Sequence, residues 1–201
     1  MGSEENDIRK IIFKYRSYTP IPFVIVMVLY AHPTVTSLLI GFAIVLMGEC
    51  VRFWGVSIVG SETRTTGSVG GTFLITTGPF AYTRNPLYLG NMMLYLGIGI
   101  MSMALFPWLQ IVALLWFYVQ YLLIVSKEEE YLAERFGAEY AEYKTRVRRF
   151  LPRLVRYRAK TPPPKVVNPK EGLSSERRTL QAIAIVMIIL VCMFIVQQHS
   201  G

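Results

Sequence analysis

Residues 107–150 read PWLQIVALLWFYVQYLLIVSKEEEYLAERFGAEYAEYKTRVRRF. The first nineteen of them, Pro107 to Val125, carry no charge. A bilayer core takes about 20 apolar residues as a helix, so this run is long enough to cross. Directly behind it, Leu132, Phe136, Tyr140, Tyr143, Val147 and Phe150 recur every three or four positions among charged residues. That spacing predicts an amphipathic helix over 127–150, continuing the span and lying on the membrane surface or on the protein itself.

Four further apolar segments flank this one. The first runs from Tyr18 to Ala31 and is short, with Pro20 and Pro22 at its start and Lys14 and Arg16 placed to snorkel. The second runs from Thr34 to Val59 and holds Glu49 and Arg52 one turn apart. The third begins in TRNPLYLG, residues 83–90, and ends near Leu105; the fifth runs from Leu180 to Val196. A hydrophobic content of 53% and a mean hydropathy of +0.40, concentrated in such blocks, define an all-α integral membrane protein of about five spans. The expected organisation is an N-terminal segment over 1–17, a membrane core over 18–155, a basic proline-containing linker over 156–178 and a last span over 179–197. Within the linker, TPPPKVVNPKEG (161–172) reads as extended chain.

The net charge of +8 does not point to nucleic acid, because the basic residues crowd between 127 and 178, beside apolar spans where anionic headgroups lie. Arg9, Lys10, Lys14 and Arg16 precede the first span, Arg64 and Arg84 follow the second, and the basic block follows the fourth. The connections around AHPT and SMALFP carry no lysine or arginine. The positive-inside rule then sets a multi-pass topology with the N-terminus and all three basic regions in the cytoplasm. The opening MGSEENDIRK does not read as a signal peptide. Cys50 and Cys192 read as buried structural thiols, and with His32 and His199 they show no metal-ligand spacing.

Two places could carry chemistry. At the start of the third span, Pro86 suits the first turn of a helix and Gly90 and Gly97 permit close approach by a backbone or a ligand. Arg84 stands just ahead of it. After the fourth span, Glu128 and Glu129 are separated by about 100° on a helix, so they share a partner only if it is enclosed between helices. A carboxylate facing the interior of a membrane protein calls for a cation or a ligand.

TGPFAYTRNPLYLG, followed some forty residues later by KEEEYLAERFGAEYAEYKTRVRRFLP, resembles the membrane-bound methyltransferases of the isoprenylcysteine carboxyl methyltransferase and phospholipid methyltransferase group. That pattern is Arg-His-Pro-x-Tyr-x-Gly, then Glu-Glu-x-x-Leu-x-x-x-Phe-Gly-x-x-Tyr-x-x-Tyr. Its second half is complete here in Glu128, Glu129, Leu132, Phe136, Gly137, Tyr140 and Tyr143, with Arg149 and Pro152 following. The resemblance covers residues 34–152. Asn85 stands where the isoprenylcysteine branch usually has histidine, and the Asn-Pro-x-Tyr-x-Gly form is more similar to the phosphatidylethanolamine branch.

The resemblance implies an enzyme that binds S-adenosylmethionine in a cytoplasmic pocket formed by Tyr82, Arg84, Asn85, Pro86, Tyr88, Gly90, Glu128 and Glu129. Carboxylates suit the cationic end of that cofactor, and Arg84 suits its carboxylate. A tyrosine face such as Tyr88 suits its sulfonium. The implied acceptor is a membrane-embedded lipid or lipidated substrate, a phospholipid amine being favoured over a prenylcysteine carboxylate. For an amine, Glu129 is the candidate base; for a carboxylate, Arg149 or Arg153 would orient it. The last span either packs over the core or pairs two protomers as a homodimer. The rival readings are an NADPH-dependent sterol-type membrane reductase and a non-catalytic membrane adaptor.

Overall fold

The structure is a computed structural model and describes residues 8–59, 73–160 and 167–200. Six helices follow in order: α1 (Ile8–Tyr15), α2 (Pro20–Leu29), α3 (Val35–Val59), α4 (Pro86–Ser102), α5 (Trp108–Arg146) and α6 (Pro169–Ser200). A 3-10 turn, Gly78–Ala81, precedes α4, and there is no strand among the described residues. The first seven residues of the expected N-terminal segment, Arg64 with residues 60–72, and residues 161–166 of the expected linker lie outside the described residues.

The helix starts follow local chemistry. Thr34 and Ser37 cap α3 reciprocally, each backbone N–H donating to the other's hydroxyl at 2.9 and 3.1 Å. Proline occupies the first helical position of α2, α4 and α6, where its missing N–H costs nothing. The start of α6 explains why its length exceeds the expected last span. Asn168 caps it, its side-chain carbonyl accepting from the Glu171 N–H at 3.3 Å. The final Asn-Pro of TPPPKVVNPKEG therefore opens a helix, and residues 169–178 are helical.

Three helices, α3, α5 and α6, are long and apolar enough to cross a membrane. The first and third expected spans form α2, of 10 residues, and α4, of 17 residues. Cys50 and Cys192 are free and exposed, not buried. Beside Cys192 on α6, Ile188, Val191, Ile195 and Val196 are exposed too. In lipid the outer face of a helix is as apolar as its core, so hydrophobicity alone does not locate a buried thiol.

Contacts divide the chain into two units. The first comprises Met1–Met47, Met92–Lys127 and Gln181–Gly201. Its centre is Phe117, fully buried, with ring contacts to Tyr95 at 4.2 Å and Phe23 at 5.3 Å. The buried Gln110 side-chain N–H groups donate to the Gly99 and Ala104 carbonyls at 2.8 and 3.2 Å. Gly41 and Gly97 face each other where α3 and α4 touch. A Cβ on Gly97 would stand 2.7 Å from the Gly41 carbonyl oxygen and 2.9 Å from the Val45 nitrogen.

The second unit, Gly48–Asn91 and Glu128–Leu180, contains every residue of the expected site. In it α5 carries a break at Gly137, whose φ of 47° and ψ of −119° suit glycine alone. On the far side of the break Tyr140, Tyr143 and Val147 bury against Leu74, with Leu132, Phe136 and Tyr157 alongside. The periodic apolar face of this segment thus packs on the protein's own chain.

Gly97→Ala would press its methyl into backbone that cannot retreat. We expect a loss of about 1–3 kcal/mol, read as a lower midpoint of unfolding in detergent.

Candidate functional site

The two motif-bearing stretches, 82–90 and 128–153, meet through their backbones. The N–H groups of Arg84 and Asn85 donate to the carbonyls of Arg148 and Arg149 at 2.9 and 3.1 Å. In return the Arg153 N–H donates to the Tyr82 carbonyl at 2.9 Å and that of Tyr157 to Ala81 at 3.0 Å. Side chains reinforce this seam. Thr83 Oγ1 and Asn85 Nδ2 both donate to the Arg149 carbonyl, at 2.9 and 3.2 Å, and the Tyr143 hydroxyl donates to the Phe80 carbonyl at 2.6 Å. An extended piece ahead of a helix exposes unpaired N–H groups, and here residues 148–149 accept them.

Glu129 sits at the middle of the seam. Its Oε1 accepts from Arg84 Nη2 at 2.6 Å and from Arg149 Nε at 3.0 Å. Its Oε2 accepts from Arg149 Nη2 at 2.8 Å. Lys144 Nζ stands 3.8 Å away, at the exposed side. The side chains of Glu129 and Arg84 are 6% and 8% exposed, whereas that of Arg149 is 35% exposed. Arg84 also donates from Nη1 to the carbonyls of Lys144 and Val147, at 3.0 and 2.6 Å, where α5 ends and carbonyls lack helical partners.

Glu129 lies beyond Val125, the last residue of the apolar run. Burial alone would raise the proton affinity of its carboxyl; hydrogen bonds from Arg149 and Arg84 and their charges outweigh that and hold it below the usual carboxylate range. Farther along, burial pushes the Tyr140 hydroxyl up to about 12.

Glu128 points elsewhere, as one residue's rotation on a helix requires. Its Oε1 accepts from the Tyr88 hydroxyl at 2.7 Å. Pro86 is fully buried at the first turn of α4, and Asn85 caps that turn, its carbonyl accepting from the Leu89 N–H at 3.1 Å. Tyr82 lies with its ring 6.1 Å from that of Trp54. Gly90 faces α3: a Cβ there would stand 2.5 Å from Arg52 Cγ and 2.8 Å from the Gly48 carbonyl oxygen. Arg84, Glu129 and Arg149 are therefore brought into one cluster, Tyr88 and Glu128 into a pair, while Tyr82 and Gly90 contact α3.

One group was not legible as part of a site. Arg52 donates to Asn91 Oδ1 and, from Nη2, to Glu176 Oε2 at 2.6 Å; Glu49 Oε2 is 3.7 Å from Arg52 Nε. Glu49 and Arg52 are ionisable residues within an apolar run, a signal in themselves. Glu176, 124 positions from Arg52, lay in the expected linker and had none. Among the described residues no group of three or more His, Cys, Asp or Glu is placed to hold a metal ion.

The described residues thus combine apolar helices long enough to cross a membrane with an Arg-Asn-Pro-x-Tyr-x-Gly turn joined to a double glutamate, the pattern that resembles the membrane-bound methyltransferases. The phospholipid methyltransferase family matches residues 36–139, and the chain belongs to it. It is similar to the cobalt-zinc-cadmium resistance protein CzcN of Cupriavidus metallidurans, 30% identical over 148 residues, 70% of this chain and 64% of that protein. It is also similar to the nickel-cobalt-cadmium resistance protein NccN of Alcaligenes xylosoxydans xylosoxydans, 28% identical over 124 residues, 62% of this chain and 54% of that protein. The chain thus spans less than two thirds of the length of these relatives. No solved structure matches it.

Glu129→Gln would leave two guanidiniums facing a neutral amide. We expect a loss of about 3 kcal/mol, the low end for a broken buried pair because Arg149 is partly exposed. Because the folded-state pKa is depressed, the contribution of Glu129 is fully present above its unfolded value, about 4.3, and is lost as pH falls through the lower folded value. Unfolding midpoints of the two proteins measured from neutral to acidic pH should keep a constant gap, then converge below that range.

Proposed function

We propose that this chain transfers a methyl group from S-adenosylmethionine to a membrane-embedded acceptor, a phospholipid amine such as phosphatidylethanolamine, with the site on the cytoplasmic side. The observation that carries the reading is the Arg84–Glu129–Arg149 cluster. Two guanidiniums on one carboxylate leave one positive charge in excess, with Lys144 adding to it. Such a cluster suits a small anionic group, and the guanidinium of Arg149, with Glu129 on its Nε and Nη2, reaches the exposed edge.

The donor chemistry fits the cofactor the family uses. Its carboxylate matches the excess positive charge at Arg84 and Arg149, and its cationic amino end matches Glu128, held by Tyr88. When bound, S-adenosylmethionine supplies a methyl group already activated by its sulfonium. The remaining work of the chain is to let the acceptor ammonium give up a proton to a carboxylate or to water, align the freed amine nitrogen with that methyl and keep bulk water out. Glu129, ionised and engaged by two arginines, anchors those arginines and is a poor base. In this reading Arg149, with Glu129 on two of its nitrogens, serves the cofactor and does not orient a carboxylate acceptor. Asn85 in the histidine position favours the phospholipid-amine acceptor over prenylcysteine. The basic stretches around α5 favour the cytoplasmic face by the positive-inside rule.

Purified protein in detergent should bind S-adenosylmethionine and S-adenosylhomocysteine saturably and NADPH not at all. Tyr88→Phe, which removes the hydrogen bond to Glu128, should weaken binding about tenfold, the low end expected for one hydrogen bond to a charged group. Binding of NADPH in place of the other two would sink the reading in favour of a reductase. Silence from all three in folded protein would favour an adaptor.

A further inference from the structure

The second polar cluster of the same unit has the opposite charge balance. Glu49 and Glu176 share one guanidinium, that of Arg52, which leaves one negative charge in excess. The Glu176 side chain is 1% exposed, and its Oε1 has no hydrogen-bond partner among the described residues. Both carboxylate oxygens of Glu49 are in the same condition. Arg52 Nε, itself without a hydrogen bond, faces Glu49 Oε2 at 3.7 Å; burying three carboxylate oxygens without hydrogen bonds around this single arginine is costly unless another positive group joins them.

The position of the cluster is as telling as its charge. Asn91, which accepts from Arg52, stands three residues after Tyr88 on α4, so the two are neighbours on one helix face. Tyr88 holds Glu128. The Glu49–Arg52–Glu176 cluster thus lies one turn along α4 from the proposed cofactor contacts. Glu176 comes from α6, which lies wholly outside the matched residues 36–139. There α6 is fixed against α3: the Asn168 N–H donates to the Ser57 carbonyl at 2.7 Å, and Gly172 meets the Ser57 side chain closely.

We propose that Glu49 and Glu176 form the subsite for the acceptor's ammonium group, a monocation that restores charge balance beside Arg52. This rests on the amine-acceptor reading above. The excess of one negative charge fits a single ammonium, where the Glu129 cluster, already in positive excess, repels one. A primary ammonium carries three N–H donors for the three bare oxygens. Glu49, at 13% exposure the more accessible of the two carboxylates, meets the ligand first.

The test uses the whole 201-residue chain in detergent, titrated with ethanolamine hydrochloride or potassium chloride at matched ionic strength. The same protein is placed in phosphatidylcholine nanodiscs with and without phosphatidylethanolamine, and unfolding midpoints are read throughout. A saturable rise with ethanolamine, absent with potassium and weakened about tenfold in Glu49→Gln, supports the subsite. A rise confined to phosphatidylethanolamine nanodiscs supports it with the lipid headgroup as source. Glu49→Gln keeps the Arg52–Glu176 bond, so it should fold even if Glu176→Gln does not. Equal rises with ethanolamine and potassium, no rise with any amine, or an unchanged response in Glu49→Gln would each overturn the proposal. S-adenosylhomocysteine binding in the same preparation would then show whether the methyltransferase reading survives by itself.

Discussion

A buried carboxylate next to a bilayer has to be neutralised, and Glu129 meets that requirement by drawing in Arg84 and Arg149 from either side. The rest of the second unit is arranged by this demand. Arg84 can reach Glu129 only if residues 82–85 run beside residues 148–153, which is where their backbones pair. Arg149 can reach it only if the chain turns back after α5, and the Gly137 break together with the Tyr140–Tyr143–Val147 packing sets that turn. Removing the carboxylate would leave two guanidiniums repelling each other across the seam.

Helix geometry then separates the two adjacent glutamates into different tasks. One residue's rotation carries Glu128 away from the arginines and onto Tyr88 of α4. Along the same face of α4, one turn on, Asn91 receives Arg52. Polar groups therefore form two layers along the beginning of an apolar helix: in the first, the Arg84–Glu129–Arg149 cluster has positive charge in excess beside the carboxylate of Glu128, and the second has negative charge in excess. Since an unpaired charge in hydrocarbon is costly, opposite imbalances in neighbouring layers are what a site for a ligand bearing both signs would require.

The sequence made the first layer legible because its members announce themselves locally. Arg84 precedes a proline-started helix, Glu128 and Glu129 follow an apolar run, and the apolar spacing from Leu132 to Val147 marks the helix that returns the chain. The second layer was half visible. Glu49 and Arg52, one turn apart inside an apolar run, were a signal without a partner, because the partner is far away in sequence and sits among residues whose prolines suggest a linker. Asn168 and Pro169 form a helix start, and that local chemistry could have moved the boundary. Burial was the least legible property: Cys50 and Cys192 lie in apolar helices and yet are exposed, since lipid removes the usual link between hydrophobicity and the interior.

The departure at Asn85 bears on acceptor choice through what the residue does. Its backbone N–H and its side-chain amide both donate to the Arg149 carbonyl, so it fastens the seam and caps α4. A neutral histidine also has a ring N–H to donate, so the exchange need not undo the fastening. It does remove a group able to titrate near neutral pH beside two arginines that already carry excess positive charge. On the amine-acceptor proposal, discrimination from a carboxylate falls to the place where the charge balance changes sign, Glu49 and Glu176, and one of the two comes from the helix that the family match does not include.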